Sequence, residues 1–148
     1  MIMTANRRRL PVGIQSFKEI RERDYLYVDK SDTVWHLVNE GKKYNYLSRP
    51  RRFGKSVLVD TLQCYFEGRR DLFEGLKIME LEKEWIARPV IRLDMSRGGA
   101  NETALRSYFD SVFRASAKNY AVETFPTDSL SVRFNAIILA AWAAVWIR

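Results

Sequence analysis

The run Ser48-Arg49-Pro50-Arg51-Arg52-Phe53-Gly54-Lys55-Ser56 constrains this chain more than any other stretch. Residues 44–47 before it carry aromatic and aliphatic side chains and are expected to form a short strand. After it, Val57, Leu58, Leu62, Tyr65 and Phe66 recur at helical spacing. Strand, Gly-Lys-Ser and helix in that order is the context a phosphate-holding loop requires. The first N–H groups of a helix lack intrahelical partners and carry partial positive charge, so they attract anions. Gly54, without a Cβ, can turn successive amides towards one phosphate. Lys55 would reach the outer phosphates as a point charge, and the Ser56 hydroxyl would meet a nucleotide-bound Mg²⁺. Arg52, Phe53, Gly54, Lys55, Ser56 and Val57 are therefore the candidate nucleotide-binding residues. Lys55 doubles as the candidate catalytic group. The full motif also asks for glycine at the place held by Arg49, so the loop is degenerate, and Pro50 removes one amide.

Composition narrows the partners. Twenty-five basic against eighteen acidic side chains leave a net charge of +7, which favours nucleotides, nucleic acid or acidic headgroups. A hydrophobic fraction of 47% across 148 residues supports one globular domain with a sizeable core. Cys64 is the sole cysteine, so no intrachain disulfide forms, and one His with one Cys argues against a zinc site. Its place in the helix after the loop suits a buried structural thiol. No apolar signal core follows the polar, basic first residues, so a cytoplasmic protein is the default expectation.

Residues 1–9 end in three arginines and read as a basic arm. Pro11 and Gly13 break any early helix. Residues 25–29 form a compact strand or extended segment. Ser31 or Asp32 can cap a helix carrying Val34, Trp35, Leu37 and Val38, which Gly41 stops. Its His36 fits a half-buried surface position. Residues 80–85 suggest a charged surface helix. Pro89 to Asp94 read as a strand closed by a carboxylate, which makes Asp94 the second candidate metal ligand beside Ser56. Asn101 caps the clearest helix, whose Ala104, Leu105, Tyr108, Phe109, Val112 and Phe113 make one broad apolar face. A last helix starts near Ser129. The twelve apolar residues from Ala136 to Ile147 are too few to cross a bilayer, which takes about twenty.

Five blocks in order resemble the AAA-ATPase-like family of predicted bacterial ATPases. They are Leu10-Pro11-Val12-Gly13-Ile14 with Phe17 and Ile20, Tyr27-Val28-Asp29-Lys30-Ser31, the Ser48–Ser56 run, Phe66-Glu67-Gly68, and Pro89-Val90-Ile91-Arg92-Leu93-Asp94. The resemblance covers roughly residues 10–135, and Arg49 in place of the first glycine looks like family usage. It implies an ATP-binding P-loop domain, with ATP and Mg²⁺ as cofactors and Gly54, Lys55 and Ser56 in the phosphate-loop role. Such domains usually precede one similar to the PD-(D/E)XK nucleases, whose activity is not carried over. The expected fold is α/β: an incomplete, P-loop NTPase-like three-layer sandwich with few parallel strands.

The resemblance places an acidic strand after the helix containing Arg133 and Phe134, yet no Asp or Glu follows Asp128. Residues 136–148 therefore read as a tail departing from the family pattern, consistent with truncation. Nucleotide binding with poor hydrolysis is the expectation. Two other readings compete: a basic nucleic-acid-binding module, and a nonfunctional fragment of a longer ATPase. No membrane partner is expected. Apolar faces at 104–113 and 136–147 with few strands to cover them favour self-association.

Overall fold

The computed structural model describes residues 8–41, 44–48, 50–99, 101–120 and 129–146. Helices account for its regular structure: α1 Phe17–Glu22, α2 Ser31–Asn39, α3 Lys55–Phe66, α4 Ile78–Leu81, α5 Glu102–Asn119 and α6 Leu130–Trp146, with single 3₁₀ turns at Arg70–Phe73 and Met95–Arg97. The chain divides into two compact units, Met1–Arg88 and Pro89–Arg148.

No strand is present among the described residues, so the expected α/β three-layer sandwich is not formed. The segments at 25–29, 44–47 and 89–94 are irregular. An apolar run is extended β-structure only when a second run satisfies its backbone. Tyr44 and Tyr46 are exposed, as is Val28, instead of packing on a sheet face. At 89–94 phenol hydroxyls act where a neighbouring strand would. Val90 N–H donates to the Tyr120 hydroxyl at 2.9 Å, and Asp94 N–H donates to that of Tyr108 at 2.6 Å.

In the first unit, Phe17, Val34, Cys64, Leu72, Phe73, Leu76 and Ile78 form the core. Phe17 meets Tyr27 edge-on at 5.1 Å between ring centres and tilts against Phe73 at 4.9 Å; Phe73 in turn meets Trp85 at 5.0 Å. Such pairs add about 1 kcal/mol each beyond their buried area. The block 27–31 works as a staple. Asp29 accepts from Lys77 N–H at 2.8 Å and Ser31 N–H at 2.9 Å, while buried Ser31 accepts from Ile78 N–H at 3.1 Å. Ser31 is thus the first residue of α2, and its hydroxyl serves the start of α4 instead of capping its own helix. Gly68 (φ 70°) closes α3, where a Cβ would stand 3.2 Å from the Ala87 amide nitrogen. The surface helix expected at 80–85 ends at Leu81, and the Glu82 carboxylate instead pairs with the Tyr65 hydroxyl.

In the second unit, Asn101 caps α5 by accepting from Ala104 N–H at 2.8 Å. Phe113 stacks with Phe109 at 5.8 Å and with Phe134 of α6 at 5.4 Å. Ile137 and Ala141 complete the buried face of α6, and Arg133 pairs with Asp110. Among the described residues no helix is long and apolar enough to cross a membrane.

Candidate functional site

The turn at 51–54 sets the geometry of the phosphate-loop candidate. Arg52 (φ 68°) and Gly54 (φ 72°, ψ 19°) both take left-handed backbone conformations, two residues apart. Glycine adopts that region without strain, whereas Arg52 does so at a cost of about 1 kcal/mol. Gly54 is the N-cap of α3 and carries no side chain to occupy the helix's first amides; the first intrahelical bond runs from Leu58 N–H to Gly54 O at 3.0 Å. Among the described residues, no acceptor meets the Ser56 and Val57 amides. The expected helix start at Gly54 is therefore formed.

These amides open onto a cleft of about 610 Å³, within the range of small-molecule sites. One wall is Gly54, Lys55, Ser56 and Val57 with the cations Arg51 and Arg52; the other is the turn Gly13, Ile14 and Gln15. No acidic side chain lines it among the described residues. Cationic side chains and helix-terminal amides both favour negative charge nearby.

The second wall went unrecognised in the sequence, where Gly13 reads as a helix breaker and as part of a family block, with no place in the site. Gly13 has φ 77°, and this left-handed turn carries the chain past the loop into α1. Ser16 caps α1 by accepting from Glu19 N–H at 3.3 Å, and its hydroxyl donates to Asp60 of α3 at 2.9 Å. The two walls are thus tied together one turn below Ser56.

Other candidates are not among the residues that line the cleft. Phe53 is 64% exposed and is not among its lining residues. Arg49 lies outside the described residues. Asp94 belongs to the second unit, where it caps a 3₁₀ turn, accepting from Ser96 N–H at 3.1 Å and from the Ser96 hydroxyl at 2.6 Å. Those bonds hold its carboxyl below the usual carboxylate range. Ser56 and Asp94 therefore fall in different units. No group of three or more His, Cys, Asp or Glu residues able to hold a metal occurs among the described residues. Cys64 is buried, and burial, with Asp60 and Glu67 adding to it, pushes its thiol up to about 11. His36 sits 2.9 Å from Glu40 on the surface of α2, away from the cleft.

A left-handed cap opens helix amides onto a cleft whose charged side chains are cationic among the described residues. The chain belongs to the AAA-ATPase-like family, described as Predicted AAA-ATPase, which it matches over residues 11–145. It is also 46% identical over 95 residues to the protein named "Uncharacterized protein in vnfD 5'region" of Azotobacter chroococcum mcd 1. That match covers 63% of this chain and 18% of the relative's length. No solved structure matches the chain.

Proposed function

We propose that this chain is the ATP-binding part of an AAA-ATPase-like protein and that its cleft holds the triphosphate of ATP with Mg²⁺. The observation that carries this reading is the left-handed Gly54 cap, which presents the Ser56 and Val57 amides to the cleft beside Lys55. Lys55 would add a mobile charge for the outer phosphates, and Arg51 and Arg52 would raise the local positive potential. The cleft's size and exclusively cationic charge suit the group. Mg²⁺ bound with a nucleotide takes few protein ligands and relies on phosphate oxygens. The exposed Ser56 hydroxyl, at the second position of α3, suits that role without a cluster of carboxylates.

Binding with slow hydrolysis is the activity proposed. Positioning an attacking water takes a polar side chain near the outer phosphate, and the carboxylate that Asp94 offers is engaged by Ser96. A fluorescent ATP analogue titrated with Mg²⁺ should bind the wild-type chain, and Lys55→Ala should weaken it about tenfold or more, as loss of a charged hydrogen bond does. Equal affinity for both would sink the assignment. Displacement by single-stranded DNA with a steep salt dependence would favour a nucleic-acid module instead. Phosphate release that depends on Lys55 would overturn the slow-hydrolysis part.

A further inference from the structure

The second unit carries a hole and a knob on the same side of one helix. The hole is a groove of about 280 Å³ lined by Leu93, Phe109, Phe113, Leu130, Ser131 and Phe134, in which Ser131 is the polar residue. The knob is Trp142 of α6, an indole left 62% exposed. Ser131, Asn135, Ile138 and Trp142 are all exposed and recur at i, i+4, i+7 and i+11, so they form one row along α6. Ser131 both begins the row and lines the groove, so the groove opens at the N-terminal end of the row and Trp142 stands at its other end. The two lie about 16 Å apart along the helix axis. From Phe134 to Trp146 the sequence carries no charged residue, and Arg133 is paired with Asp110. Two copies meeting along this row therefore bring no like charges together there, although the chain's net charge is +7.

We infer that α6 is a self-complementary docking surface whose partner is a second copy of this chain set antiparallel, with Trp142 of each copy seated in the groove of the other. Two-fold pairing requires that residue i meet residue j while j meets i. An antiparallel pair of α6 helices centred between Ala136 and Ile137 meets that condition. Ser131 and its groove then face Trp142 at both ends, and Asn135 faces Ile138 in the middle. Because both grooves are filled in the pair, the contact closes at two copies. Covering Trp142, Ile138 and the groove walls removes on the order of 500 Å² per copy, since one aromatic side chain alone brings about 150–250 Å². That is below the roughly 800 Å² per partner of a standard interface, so the dimer forms reversibly. The inference is independent of the nucleotide reading, because every residue it uses lies in the second unit.

The test is sedimentation velocity of the full 148-residue chain across a micromolar concentration series. Wild type should pass from one chain to two as concentration rises, and stop at two. Trp142→Ala should raise the dissociation constant about tenfold or more, as loss of a buried aromatic anchor does. Val132→Ala, exposed on α6 but off the row, should change it by less than about threefold. Asn135→Glu and Ile138→Lys should each weaken the pair, and the double variant should recover it, because opposite charges face each other only in the antiparallel register. Circular dichroism of these variants, all at exposed positions, should match wild type. A wild-type chain that stays single at the highest concentration would overturn the inference, and binding of that single chain to phosphatidylcholine vesicles would give the face to lipid instead. Assemblies that grow past two would overturn the closed pair, as would a Trp142→Ala chain that dimerises like wild type. Failure of the double variant to recover would overturn the antiparallel arrangement.

Discussion

Asp60 of α3 accepts from the Ser16 hydroxyl at 2.9 Å across 44 residues of sequence. The same carboxylate oxygen accepts from Lys18 N–H at 3.3 Å, and Ser16 meanwhile caps α1. One carboxylate thus joins the helix that begins at the phosphate-loop candidate to the segment forming the opposite wall. A hydrogen bond to a charged group contributes about 1.5–3 kcal/mol, more than a neutral one. Asp60→Ala should therefore lower the unfolding free energy by about 1–2 kcal/mol. Ser16→Ala should cost about 1 kcal/mol through its cap as well. Urea titration of both single variants and the double variant checks the pairing: because each removes the same bond, the double loss should fall well short of the sum. Strict additivity would show that the two side chains act separately.

Gly54 poses a different question, because space and conformation disagree there. A Cβ at Gly54 would meet nothing within 4 Å, yet its φ of 72° is one that L side chains rarely adopt. Gly54→Ala should cost about 1–2 kcal/mol of stability through backbone strain alone. Relief of that strain would rotate the Lys55 and Ser56 amides, so tripolyphosphate affinity should drop more than stability does. Thermal unfolding and a phosphate titration on the same sample test both. Unchanged affinity with the expected stability loss would mean that the cap shapes the helix and not the anion site.

Local signals were the readable ones. The cap at Asn101, the start of α3 after Gly54 and the start of α6 near Ser129 all rest on residues within one helical turn of each other, and the structure has each of them. The burial of Cys64 was expected from its place in the helix after the loop, and the thiol is buried. The strands failed because pairing is not a local property. Residues 44–47 and 89–94 carry apolar patterns that fit a sheet, but nothing in their own residues says whether a partner exists. Tyr120 and Tyr108 satisfy the backbone of the second segment from α5 and its C-terminal end. Ser31 shows a subtler failure: a serine at a helix start reads as a cap, whereas contact with Ile78, 47 residues away, decides its use. The Gly13–Gln15 wall was hidden for the same reason. A turn glycine announces a bend and not what the bend faces.

Alkaline pH probes the core of the first unit. Cys64 lies in α3 among Phe17, Val34 and Phe73, and burial of the thiol, reinforced by Asp60 and Glu67, raises its pKa from 9.0 to about 11. Tyr27, beside Phe17, is shifted upward too, again chiefly by burial. In both, the folded state holds its proton to higher pH than the unfolded chain does. Between the two pKa values the unfolded chain has released a proton that the folded chain keeps, so stability falls with rising pH. For Cys64 the contribution is complete below about pH 9 and lost as pH climbs through about 11. Urea midpoints should decline across that window, and the decline should be shallower in Cys64→Ala once its lower starting stability is allowed for. The native thiol should also resist a thiol-specific reagent at pH 8 and react on addition of urea, because the reactive species is the thiolate and it is disfavoured in this core. Rapid labelling of the native chain, or a slope unchanged by Cys64→Ala, would place the thiol outside the packed cluster.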